Sequence, residues 1–179
     1  MDVEEARFRT AIHEAGHTVA ASLIRRRIAF VTVERSGDTL GRVVFAERTL
    51  IDMADHRQVE REAALHLAGF AAELIYDRQT LPTGCAEEIL RAYRLLTAIG
   101  RDERGFQRVV WRTTTMLRLA LWPCVMTVAT ELHRRGTLDG LAVRRLVQRE
   151  LGLRRRWSKL DAFQERTGAT DFRWLQRRC

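Results

Sequence analysis

The residues whose types and spacing could do chemistry are His13, Glu14 and His17, set in the stretch AIHEAGHTVAASL over residues 11–23. They form an instance of H-E-x-x-H. On a helix, residues four apart lie on one face, so imidazoles at 13 and 17 can converge on a single ion. Glu14 then sits about 100° around the helix from His13, beside the ion rather than under it. From there a carboxylate can take a proton from an activated water without filling a ligand position. Zinc suits two imidazoles, because it is borderline-soft and accepts four ligands with little geometric demand of its own. Ala11, Ile12, Ala15, Gly16, Val19, Ala20 and Leu23 make the helix apolar almost all round, which predicts burial. Polar groups in such a helix must find partners, since each unpaired one costs roughly 2–7 kcal/mol. A pair of hydrogen-bonded core histidines is the bland alternative, and the metal reading is preferred to it.

Two histidines do not close a zinc site; a catalytic one needs a third protein ligand and a water. His56, His66 and His133 are each isolated and read as surface or satisfied core residues. Cys85, Cys124 and Cys179 are odd in number and scattered, with no C-x-x-C pair. They predict reduced thiols rather than metal ligands. Glu87 and Glu88 open a helix just after Pro82-Thr83-Gly84, where a side chain can be aimed into a cleft. Acidic residues also suit helix starts through the dipole, and these two positions by themselves leave both readings open.

The elements that must hold these residues follow from pattern. A first helix spans 4–24, followed by a strand rich in β-branched and aromatic residues over 28–35. Turn material over 36–41 leads to a returning strand over 42–47. The resulting hairpin can cover the metal helix, and one of its edges could pair with an extended peptide. Further helices are expected over 55–76, 85–99, 106–121, 123–135 and 139–151, with a loop over 78–84 and a polar break over 100–105. The fold class is therefore mainly α with a small β-hairpin or sheet.

With 179 residues one domain is the default, and two prolines with 7% aromatics agree with a helical protein. The most apolar later stretch, 116–128, contains Arg118 and Pro123 and falls short of the roughly 20 residues needed to span a bilayer. No basic-then-apolar leader opens the sequence, so a cytoplasmic protein without a membrane span is expected. Charge is unevenly placed: residues 1–140 carry 20 Lys and Arg against 19 Asp and Glu, and residues 141–179 carry 11 against 4. Nearly all of the net charge of +8 thus belongs to the end of the chain. Trp157, Phe163, Phe172 and Trp174 are spaced through that basic end. It reads as a helix packing back on the domain, or as a docking site for an acidic partner or nucleic acid.

Taken in order, four stretches resemble the peptidase domain of the FtsH-type zinc metalloproteases. They are Ala11-Ile12-His13-Glu14-Ala15-Gly16-His17-Thr18-Val19; Val31-Thr32-Val33 with Leu40-Gly41; Leu67-Ala68-Gly69-Phe70-Ala71-Ala72-Glu73; and Thr83-Gly84-Cys85-Ala86-Glu87-Glu88-Ile89. Gly136-Thr137-Leu138-Asp139 is a weaker echo. The resemblance implies a helical zincin-like metallopeptidase domain over 1–151, followed by a basic, aromatic-containing extension over 152–179. It also implies zinc held by His13, His17 and residue 88. The family has aspartate at that last position, and Glu88 is one methylene longer with the same hard oxygen donor. Glu73 matches the first of two acidic residues in the family's helix and is implied to orient a ligand imidazole, while Leu74 stands in place of the second. Phe70 stands where the family usually has arginine.

There is no G-x-x-x-x-G-K-[ST] phosphate loop, so no ATP-driven unfolding is expected. Two functions are weighed. The first is a stand-alone, ATP-independent zinc endopeptidase acting on unstructured or docked polypeptides, with water activated by Glu14. The second is a peptidase-fold binding or regulatory module with little or no catalysis, working through the basic end of the chain. The intact Glu14 favours the enzyme, because a scaffold has no need of an uncoordinated acid there. Oligomeric state, substrate and cleavage preference are left open by the residues.

Overall fold

The computed structural model describes residues 2–35, 40–47, 50–77 and 85–152. The turn at 36–39, residues 48–49, the loop at 78–84 and all but the first residue of the expected extension over 152–179 lie outside the described residues. Among the described residues the chain is mainly helical, with one small antiparallel sheet.

The apolar character read from the first helix places it at the centre. Helix α1 (Val3–Leu23) buries Ala11, Ile12, Ala15, Val19 and Ala21 completely. Helix α2 (His56–Tyr76) packs along one side of it, started by Asp55, whose carboxylate accepts from the backbone N–H groups of Arg57 and Gln58. The two helices come close because small residues face each other. A Cβ placed on Gly16 would lie 2.4 Å from the Ala68 carbonyl oxygen. The opposite side of α2 carries a second apolar layer of Val59, Ala63 and Leu67, against helix α3 (Ala86–Ala98) and helix α4 (Glu103–Met116).

Strand β1 (Ile28–Thr32) is the middle of three, in the order β2–β1–β3. Its partner β2 (Arg42–Phe45) is the returning strand expected from pattern. The third strand, β3 (Thr137–Asp139), was expected only as a connector before the last helix. Three residues show no readable alternation. β3 becomes a strand because Leu138 lies opposite Val31 in the core and the Thr32 and Thr137 hydroxyls meet at 2.7 Å. Gly136, at φ 77°, supplies the left-handed turn that ends the preceding helix and launches it.

A second difference concerns the two separate helices expected over 106–121 and 123–135. Helix α4 runs through a π-helical turn (Leu117–Leu121) directly into α5 (Trp122–Arg135). Proline lacks an N–H and crowds the carbonyl four residues back. The wider i→i+5 spacing of the π turn lets the chain pass it without a loop. Helix α5 packs on α1, and α6 (Gly140–Glu150), capped by Asp139, closes that side. No helix of the described residues is long and apolar enough to cross a membrane.

Candidate metal centre

Helices α1 and α2 face each other through matched polar stripes. On α1 these are Arg9, His13 and His17, four residues apart; on α2 they are Glu62, His66, Gly69 and Glu73, spaced by four, three and four. The stripes meet antiparallel. Glu73 lies against His13, Gly69 against both imidazoles, and the Leu65 carbonyl against His17. Further along, Glu62 pairs with Arg26, whose guanidinium also stacks 3.9 Å above the Phe45 ring.

His13 and His17 both turn Nδ1 outward. His13 Nδ1 donates to Glu73 Oε1 at 2.7 Å, and His17 Nδ1 donates to the Leu65 carbonyl at 2.8 Å. A carbonyl and a carboxylate only accept, so these contacts assign the ring proton of each neutral imidazole to Nδ1. The two Nε2 lone pairs then face each other at 3.0 Å. Glu88, from the first turn of α3, brings its carboxylate to the same point, 3.2 Å from His13 Nε2 and 3.0 Å from His17 Nε2. With both imidazoles neutral, three acceptors converge with no donor among them, whereas an imidazolium donates its Nε2–H to Glu88. Glu88 Oε2 is buried without a hydrogen-bond partner. Such a cluster is relieved by a proton on an imidazole or by a cation at its centre.

Burial disfavours an imidazolium at His13, but the contacts with Cys85, Glu73 and Glu88 outweigh it and raise its pKa well above the ordinary value. Burial likewise disfavours ionisation of Glu88. The hydrogen bonds and charges of His13 and His17 prevail, holding its carboxyl well below the usual range. Both shifts share one cause, the pairing of the imidazoles with the Glu88 carboxylate.

The donor set fits zinc. Two imidazole nitrogens and a carboxylate are ordinary zinc ligands, and donors about 2.0–2.1 Å from a tetrahedral ion lie roughly 3.3–3.4 Å apart. The separations of 3.0–3.2 Å are close to that. The cradle also depends on an absent side chain. A Cβ on Gly69 would fall 2.4 Å from His17 Nε2 and 2.5 Å from His13 Nε2. Gly69→Ala is therefore expected to displace both rings and weaken zinc binding at least about tenfold, with a stability loss of about 1–3 kcal/mol from overpacking. Zinc titration and thermal unfolding of the variant check this; parental values for both would mean that the rings lie elsewhere.

Cys85, read from the sequence as a reduced thiol rather than a metal ligand, lies beside the cluster. Its Sγ lies 3.7 Å from His13 Nδ1 and 3.5 Å from Glu73 Oε1, and a donor group of His13, Cys85 and Glu88 fits within 4.8 Å. Two sets of three therefore compete for the same centre. His13 Nδ1 is already engaged by Glu73, and burial pushes the Cys85 thiol up, away from the thiolate that binds metal. The set of His13, His17 and Glu88 is the better one on these grounds, with Cys85 behind His13 and donating toward Glu73.

Glu14 is buried beside the cluster, with Gly41, just before β2, packed against its side chain. Burial raises its pKa, the His17 and His13 charges lower it, and Glu88 and Glu73 add to the rise. The remaining histidines stay apart from the donor cluster. His56 is exposed at the start of α2, His133 pairs with Glu4 at 3.2 Å, and His66 faces Glu62 at 3.9 Å with its pKa lowered by burial. Sequence reasoning missed Arg9, Gly69 and the Leu65 carbonyl. Arg9 was findable as the residue one turn before His13 on the same face, whereas a backbone carbonyl leaves no trace in residue type.

The fold and the centre define a helical protein with a small antiparallel sheet and an acceptor cluster built on H-E-x-x-H. No protein-family model and no curated protein matches the chain.

Proposed function

We propose that this chain is a zinc-dependent, ATP-independent endopeptidase of the FtsH-like, zincin-type class, acting on unstructured or docked polypeptides. The observation that carries the reading is the convergence of His13 Nε2, His17 Nε2 and the Glu88 carboxylate, with both Nδ1 atoms held from behind. His13, His17 and Glu88 would hold the ion, which when bound supplies Lewis acidity to the scissile carbonyl and acidity to water. Glu14 accepts the proton of the attacking water and passes it to the leaving amine. Its burial strengthens it as a base relative to an exposed carboxylate. Glu73 and the Leu65 carbonyl keep the two rings oriented. Strand β2 is an edge strand of the sheet, and Gly41, just before it, lies beside Glu14. An extended peptide added to it runs past the base. The basic extension from residue 152 is proposed to dock an acidic partner or nucleic acid, and the protein to work in the cytoplasm.

Chelation tests the reading. The purified protein is expected to carry one zinc per chain and to cleave casein without ATP. Removal of zinc by a strong chelator should abolish cleavage, and added zinc should restore it. A zinc-loaded protein inert on casein and on a random peptide library would return the chain to the binding-module reading.

A further inference from the structure

Arg9 lies one turn before His13 on the same face of α1 and is only 8% exposed. Its Nη2 donates to Asp77 Oδ2 at 2.8 Å, just past the end of α2. Its Nε lies 3.7 Å from Glu73 Oε2 and makes no hydrogen bond. That separation is too long for a hydrogen bond, so Arg9 acts on Glu73 through charge and packing. Glu73 is 4% exposed, and its other oxygen accepts from His13 Nδ1 at 2.7 Å. Arg9, Glu73 and His13 thus form a file leading from the edge of the domain to the proposed zinc ligand.

A buried carboxylate stays ionised only beside compensating charge. Glu14, Glu73 and Glu88 together bring three negative charges to the centre when ionised. A divalent ion would supply two positive ones, and Arg9, shared between Asp77 and Glu73, adds positive charge on the Glu73 side. Water is largely excluded there, so the attraction between Arg9 and Glu73 is weakly screened. Without that cation Glu73 would be free to turn away, and the His13 ring would lose the acceptor that fixes its orientation.

We propose that Arg9 is a positioning residue of this centre, holding Glu73 so that Glu73 presents His13 Nε2 to a divalent cation. The inference rests on the metal centre proposed above.

Zinc and cobalt affinities, measured by competition with a chromophoric chelator on folded protein, test it. Arg9→Met keeps the bulk and removes the charge; it is expected to weaken both metals about 10–100-fold and to alter the visible spectrum of bound cobalt. Arg9→Lys restores the charge without the fork, and should recover most of the affinity. In a Glu73→Gln background Arg9→Met should cost less than about threefold, since its effect runs through Glu73. Should Arg9→Met not fold, Arg9→Gln, neutral but polar beside Asp77, takes its place with the same expectation. Parental metal affinity in the neutral variant, or an undiminished effect in the Glu73→Gln background, would overturn the role of Arg9 alone. A parent protein that binds neither metal overturns the centre and this inference together.

Discussion

Glu14→Gln is expected to fold and bind zinc like the parent while cleaving casein about 10²–10⁴-fold more slowly. The substitution keeps the size of a side chain that is only 6% exposed, so packing against Gly41 is retained. What it removes is the proton acceptor, and that range corresponds to about 3–5 kcal/mol of barrier. Glutamine cannot replace the function, because its amide oxygen is a far weaker base than a carboxylate. Rates on an unstructured substrate, set beside zinc content and thermal unfolding of both proteins, give the result directly. Cleavage that survives undiminished in the variant would assign the chemistry to another base. Loss of zinc together with activity would make Glu14 part of the centre's framework instead.

The ligand set separates in a second experiment of comparable effect. His17→Ala is expected to lose stoichiometric zinc, whereas Cys85→Ala should keep it. The first removes one of the three acceptors meeting at 3.0–3.2 Å; the second removes a thiol whose contacts lie on the Nδ1 side of His13. Two remaining ligands seldom hold an ion against a competing chelator. Glu88→Ala should behave like His17→Ala. Glu88→Asp, one methylene shorter and with the same donor, should retain zinc more weakly. Metal analysis after dialysis against a mild chelator reads all four. The opposite pattern, with zinc lost in Cys85→Ala and retained in His17→Ala, would select the set of His13, Cys85 and Glu88.

Local chemistry made much of this molecule legible before any fold was known. Helix α1 was readable because its apolar residues recur on nearly every side, and its two histidines because four residues make about one helical turn. The hairpin of β1 and β2 announced itself through β-branched residues flanking turn material. The helix starts at Asp55 and Asp139 carry acidic caps whose side chains bond the following backbone N–H groups. In each case the determining contacts lie within a few residues in the sequence.

Only the tertiary structure decided what meets what across the chain. Glu88 comes from 71 positions beyond His17 and reaches the imidazoles because α3 packs on α2, a packing set by Val59, Ala63, Leu67, Ala92 and Leu96 rather than by anything at the site. Short β3 exists through its partners, since three residues have too little pattern of their own to specify a strand. The π turn at Leu117–Leu121 joins into one continuous run what the pattern divided into helices over 106–121 and 123–135. Cys85 entered the site for the same reason as Glu88, and Arg9 joined it because α1 and α2 run antiparallel with their polar stripes aligned. The ring protons show the division most clearly. The sequence by itself specified two imidazoles one turn apart, but which nitrogen each presents depends on an acceptor from another helix: the Glu73 carboxylate for His13 and the Leu65 backbone carbonyl for His17.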